Sequence, residues 1–362
     1  MQYRKSLKNL LFKHYKLYPR MQIQDMVKLI YQNEFAGGHL IANEINSLKR
    51  LQEECRTLRQ RSEDREIPPG SVFEDIGNGL CRLHLAMLQW VDIDLATINR
   101  FFINTSNSVC GSIQNFEAKL EVFKQCCKNK LLPYPIDEVE AYLHDCQSQG
   151  YPPVRHSKIY RDSYSPAYRI VKAEYRDYFE AFCKIDALIK SKDIVLVAID
   201  GNCGAGKSTL AGLLSAVYDC NVFHMDHFFL RPELKTEDRL KEVGGNIDYV
   251  RFQQEVVAGL QSRREFQYQI YDCTQMALGQ YVSVLPKQLN IIEGVYSMHP
   301  SLISNYDLKI FLHIEEKEQR LRIQKRNGTF MQNRFFSEWI PLENQYFKEM
   351  KIREQSDLVF RR

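Results

Sequence analysis

Through most of the first half of the chain, apolar residues return every three or four positions, a period that predicts helices with one buried stripe. Ile41, Ile45, Leu48 and Leu51 form one such series, Ile113, Phe116, Leu120 and Phe123 another, and Tyr175, Phe179, Phe182 and Leu188 a third. Breaks at Ile67-Pro-Pro-Gly70, Leu132-Pro-Tyr-Pro135 and Gly150-Tyr-Pro-Pro153 separate them. Near residue 193 the pattern changes. Ile194-Val-Leu-Val-Ala-Ile199 is a continuous apolar run rich in β-branched residues, as expected for a strand buried on both faces of a parallel sheet. Asn221-Val-Phe-His224, Leu289-Asn-Ile-Ile292, Leu308-Lys-Ile-Phe-Leu-His313 and Asp357-Leu-Val-Phe360 predict further strands, with helical stretches between them. The expectation is a mostly α-helical domain over 1–192, then an α/β domain over 193–362 whose parallel sheet is flanked by helices.

Composition narrows the class without changing this outline. With 362 residues the chain exceeds a single small module, and 44% hydrophobic with 26% charged residues is ordinary globular usage. The formal charge of +4 is too small to demand a polyanion, so no nucleic-acid partner is expected. Arg4, Lys5, Lys8, Lys13, Lys16 and Arg20 precede the first acid, Asp25; with Leu7, Leu10, Leu11 and Tyr15 at helical spacing they read as a docked, basic-faced first helix. No long apolar run or secretory h-region is visible, so a cytoplasmic protein with no membrane partner is expected. The ten cysteines include no CxxC pair and read as reduced thiols.

The chemistry begins where the first strand of the α/β domain ends. Gly201-Asn-Cys-Gly-Ala-Gly-Lys-Ser208 fits G-x-x-x-x-G-K-[ST], with Thr209 in the helix that follows. Glycines let backbone N–H groups curl around phosphate oxygens, and the helix N-terminus turns its positive dipole end to the same anion. The nucleotide-binding candidates are therefore Gly201, Asn202, Cys203, Gly204, Ala205, Gly206, Lys207, Ser208 and Thr209. Lys207 would reach the β/γ-phosphates and the Ser208 hydroxyl would ligate Mg²⁺. Asp226 ends the next strand and Glu293 the apolar strand at 289–292, which brings both to the carboxyl edge where ligands bind. There Asp226 can orient or deprotonate an acceptor, and Glu293 can hold Mg²⁺ directly or through water. Cys203, inside the loop, raises the question of redox sensitivity.

Together with Met225-Asp-His-Phe228, Asn246-Ile-Asp248, Tyr271-Asp272 and Glu293-Gly294, this loop resembles the uridine kinase/phosphoribulokinase family of P-loop small-molecule kinases, from about residue 194 to about residue 360. The resemblance implies that Asp226 is the base toward the acceptor hydroxyl and that Glu293 contributes to the magnesium site. It also implies that Asn246 and Asp248 contact sugar hydroxyls, and that Tyr271 and Asp272 help build the acceptor pocket. Two departures bear on the substrate. Cys273-Thr-Gln-Met-Ala-Leu278 stands where uridine kinases carry His and Arg, and Tyr249-Val250 replaces a His-Pro, so an acceptor other than uridine is expected.

Arg322, Lys325 and Arg326 share one face of a later helix. In the related kinases such a face closes over the phosphates, which makes Arg322 and Arg326 catalytic candidates and Arg334 a further lid candidate; a solvated charged helix is the plainer alternative. In the first half, His39 reads as a capping or packed side chain beside Gly37 and Gly38. Arg155-His-Ser-Lys-Ile-Tyr-Arg161 and Tyr164-Ser-Pro-Ala-Tyr-Arg169 suit either an acceptor site or packing. The function expected is an ATP- and Mg²⁺-dependent kinase transferring the γ-phosphoryl to the hydroxyl of a small molecule. One rival is a regulatory P-loop NTPase whose helical domain responds to nucleotide. Another is a kinase acting on nucleic-acid ends or a nucleotide sugar, of which the near-neutral second half disfavours the nucleic-acid version.

Overall fold

The computed structural model describes residues 2–38, 40–60 and 71–362, with side chains for 5–38, 40–60, 71–326 and 333–362. His39 and the break at 67–70 lie outside the described residues. The chain divides into two compact units, Met1–Phe179 and Glu180–Arg362.

In the first unit the helical periods appear as α1 (Gln2–Leu17), α2 (Ile23–Phe35), α3 (Glu44–Gln60), α4 (Leu95–Ser108), α5 (Ile113–Lys128), α6 (Ile136–Ser148), α7 (Lys158–Tyr164) and α8 (Ala173–Asp177). A small antiparallel sheet, not anticipated from the sequence, joins them: β1 (Phe73–Gly77), β2 (Leu80–His84) and β3 (Tyr168–Lys172), in that order. Asn78 and Gly79 lie between β1 and β2, both at positive φ, as a two-residue hairpin turn requires. The core beneath includes Leu11, Met26, Leu29, Ile30, Phe116 and Phe123.

A chain of buried polar side chains threads this unit. Asp25 accepts from His156 Nδ1 at 2.9 Å, and His156 Nε2 meets the Tyr168 hydroxyl at 2.6 Å. Gln32 donates to that hydroxyl at 3.0 Å and accepts from Arg82, whose guanidinium also reaches Glu74 at 3.1 Å. Burial works to raise the Asp25 carboxyl, but hydrogen bonds from His156, Ser157 and backbone N–H groups hold it below its ordinary value. His156 and Ser157 thus belong to the internal polar network of this unit, and Ser157 also caps α7 through the Tyr160 N–H.

The second unit opens with α9 (Phe179–Ser191) and then builds a five-stranded parallel sheet. Its strands are β4 (Val195–Gly201), β5 (Cys220–His224), β8 (Leu289–Glu293), β9 (Leu308–His313) and β10 (Leu358–Arg361), ordered β10-β9-β4-β8-β5. Each matches an apolar run in the sequence, and β8 is buried at every position. Helix α10 (Lys207–Ser215) follows β4 and turns Leu210, Ala211 and Leu214 inward. Between β5 and β8 come α11 (Glu237–Lys241), α12 (Tyr249–Phe252), a π turn, α13 (Ala258–Ser262) and an antiparallel hairpin of β6 (Phe266–Asp272) and β7 (Ala277–Val284). After β9 run α14 (Glu316–Arg334) and α15 (Ile340–Glu349). With β4 between β8 and β9, the loops leaving the carboxyl ends of these strands surround one crevice, the position where open α/β sheets bind ligands. Among the described residues no helix is long and apolar enough to cross a membrane.

Candidate active site

The loop 201–208 leaves β4 in a shape that only glycine permits at its first position. Gly201 has φ +134°, and a Cβ there would stand 2.1 Å from the Leu312 carbonyl oxygen of β9. The Asn202 N–H donates to that same carbonyl at 3.1 Å, which pins the loop to the sheet. Gly206, also at positive φ, starts α10. Lys207 Nζ donates to the Gly201 and Asn202 carbonyls at 2.7 and 3.1 Å, so its ammonium lies inside the curl of the loop.

Ser208 Oγ donates to Glu293 Oε1 at 3.1 Å, and the His224 imidazole meets the same oxygen at 2.5 Å. The bond to Glu293 raises His224 above its ordinary value against the effect of burial. Gly294, at φ +139°, lets the chain leave β8 against Met225, whose Cβ a new side chain would meet at 2.7 Å. That contact ties the end of β8 to the turn carrying Asp226, Met225–Phe228. Asp226 is open to solvent yet walled by protein, as a carboxylate in a cleft is. Desolvation and the charge of Glu293 raise its carboxyl, while Lys207, His224 and Arg326 oppose them. Asp226, Glu293, Lys207, His224 and Arg326 therefore act within one shared field.

Helix α14 lies along the loop. Gln319 donates to the Cys203 carbonyl at 2.9 Å, Arg322 to the Gly204 carbonyl at 3.3 Å, and Ile323 packs near Gly204. Arg334 is engaged on its own helix, 3.0 Å from Glu338. Burial pushes the Cys203 thiol up to about 11, which disfavours the reactive thiolate.

Two buried acids beside the loop went unread in the sequence. Asp200, fully buried, accepts from the Gly201 N–H at 2.7 Å, the Met298 N–H at 3.0 Å and the Tyr346 hydroxyl at 2.9 Å. Burial raises it to about 6 despite these bonds. Glu343 of α15 accepts from the Cys203 N–H at 2.9 Å. Asp200 could have been suspected from its place before Gly201; nothing local distinguishes Glu343 from the other acids of its segment.

The residues expected at the acceptor separate into two kinds. Asp248 and Asp272 each engage one carboxylate oxygen locally: Asp248 caps α12 through the Arg251 N–H at 3.0 Å, and Asp272 accepts from Thr274 and Gln275 N–H groups at 2.7 and 3.2 Å. The Asn246 carbonyl accepts from the Leu230 N–H at 3.0 Å. Tyr271, by contrast, is 4% exposed, and its hydroxyl finds no hydrogen-bond partner among the described residues. Lys235 lies 5.9 Å above its ring. Cys273, next in the hairpin turn, feels the charges of both Asp226 and Lys235.

The donor set suits magnesium. Ser208 and Glu293 offer hard oxygens side by side. Mg²⁺ is usually bound in this sparse manner, by one or two protein oxygens, waters and phosphates.

The second unit is thus a P-loop α/β domain, defined by its central parallel sheet and its glycine loop. Over about half of its length the chain is similar to solved kinase structures. One, from Bacillus stearothermophilus, is described as a possible uridine kinase: 20% identity, TM-score 0.40, covering 52% of this chain and 99% of that one. A provisionally named fructose transport system kinase from Silicibacter sp. TM1040 shows 22% identity and TM-score 0.37, over 52% and 97%. A shikimate kinase from Bacteroides thetaiotaomicron shows 15% and 0.24, over 46% and 85%. At these identities and TM-scores the likeness carries no argument about this chain. No family model matches the chain, and no curated protein matches it.

Proposed function

We propose that the chain is an ATP-dependent small-molecule kinase that transfers the γ-phosphoryl to an acceptor hydroxyl. The observation that carries this reading is the convergence of Lys207, Ser208, Glu293 and Asp226 at the carboxyl edge of the sheet. The loop amides and Lys207 hold the triphosphate, and Ser208 and Glu293 hold Mg²⁺, which when bound neutralises charge on the phosphates. Asp226 aligns or deprotonates the acceptor, and its raised carboxyl is a better proton acceptor than an ordinary aspartate. Arg322 and Arg326, carried by α14 beside the loop, stabilise charge during transfer. The acceptor enters beside Asp226, against the hairpin turn that carries Tyr271, Asp272 and the exposed Cys273.

A coupled ADP-release screen of the full chain across sugars, nucleosides, vitamins and amino alcohols tests this. Stimulation by at least one hydroxyl compound is expected. ADP release that ignores every acceptor would favour a nucleotide-timed regulatory protein instead.

A further inference from the structure

Helix α15 brings a carboxylate to the phosphate loop that the kinase reading leaves unused. Glu343 is 6% exposed, and its Oε2 accepts from the Cys203 N–H at 2.9 Å. Charged groups on several elements act on it. Lys207 of α10 draws the carboxyl down, whereas Asp200 at the end of β4 and Asp226 beyond β5 push it up. Tyr296, after β8, feels the charge of Glu343, and Arg326 of α14 acts on the same Cys203. On α15 itself, Tyr346 turns its hydroxyl to Asp200.

We propose that binding of a magnesium nucleoside triphosphate at this loop is coupled to uptake of one proton by Glu343. The proposal rests on the kinase reading only in so far as a triphosphate binds there. An anionic ligand beside a buried carboxylate sets like charges together in a water-poor site, and protonation of the carboxylate relieves the repulsion. The proton comes from solvent. The neutral acid keeps a carbonyl oxygen for the Cys203 N–H and gains an O–H that can donate.

The pH signature follows from the starting state. Burial, the largest influence, raises Glu343 to about 7 in the free protein. Uptake is therefore about half a proton at pH 7, approaches about one at pH 8 and fades toward pH 6, where the acid is already protonated. Asp200 and Asp226, also raised, share the field, so the assignment to Glu343 needs a variant.

Isothermal titration of the full chain with a preformed magnesium complex of a non-hydrolysable ATP analogue, run at pH 6 and pH 8 in buffers of different ionisation enthalpy, reads the proton count. Wild type is expected to show uptake of about one proton at pH 8 and little at pH 6. Glu343→Gln, which keeps an acceptor for the Cys203 N–H, should bind without the buffer dependence. Buffer-independent heats in wild type, or full uptake retained by Glu343→Gln, would overturn the proposal. Absence of any binding heat in wild type would instead overturn the nucleotide-binding reading, and the proposal with it.

Discussion

Replacing Gly201 by alanine probes the phosphate loop without reference to any activity. At φ +134° the new residue would adopt a backbone conformation that L side chains rarely take, at a cost of about 1–3 kcal/mol. Its Cβ would lie 2.1 Å from the Leu312 carbonyl oxygen and 2.7 Å from the Leu312 nitrogen. Leu312 is held in β9 opposite Gly201, so the clash is met by sheet backbone and not by a pliable side chain. Separating the two adds roughly 1–3 kcal/mol of overpacking strain. Loss of the Asn202–Leu312 hydrogen bond adds about 1 kcal/mol. The sum, roughly 3–7 kcal/mol, is a large part of the ~5–15 kcal/mol that holds an ordinary domain folded. Gly212→Ala is the matched control: it lies in α10 with nothing within 4 Å of the added carbon, and should stabilise by about 0.5–1 kcal/mol. Urea unfolding followed by circular dichroism measures both. A Gly201→Ala protein within about 1 kcal/mol of wild type would refute the claim that the loop is pressed onto β9.

Two further outcomes follow from the same structure. Arg326→Ala should lower turnover roughly 10²–10³-fold, as loss of one positioned cationic donor does. Because Arg326 lowers the Asp226 carboxyl, its removal should also move the acid limb of the rate profile to higher pH; a limb that stays in place would remove Arg326 from that field. In the first unit, Arg82→Met removes the guanidinium partner of Glu74 and Gln32, which keep His14 and Tyr168 respectively, and should cost about 1–3 kcal/mol of stability, read by thermal melting, whereas an unchanged melt would show the polar chain to be dispensable there.

Some parts of this molecule were legible because they depend on neighbours in sequence. The five parallel strands appear as short apolar runs, since burial on both faces removes any need for polar alternation. The phosphate loop is written in its glycines, and Asp226 and Glu293 are flagged by standing where strands end. Other parts depend on partners far along the chain. The hairpin of β1 and β2 was signalled only by Asn78-Gly79, and its strands are five residues each, too short for a clear period. The Glu343 contact with Cys203 joins positions 140 residues apart, and no local pattern encodes that meeting. Asp248 and Asp272 carry a second, local role that the motif does not announce: one oxygen of each carboxylate accepts from backbone N–H groups.

In the proposed mechanism Asp226 faces a magnesium triphosphate held by the loop 201–208. Calorimetric binding and ADP release, measured side by side on wild type and Asp226→Asn, test it most directly. Both proteins are expected to take up the magnesium nucleotide with similar affinity, while acceptor-dependent ADP release falls about 10²–10⁴-fold in the variant. Equal turnover by the two proteins, or no nucleotide uptake by either, would contradict it.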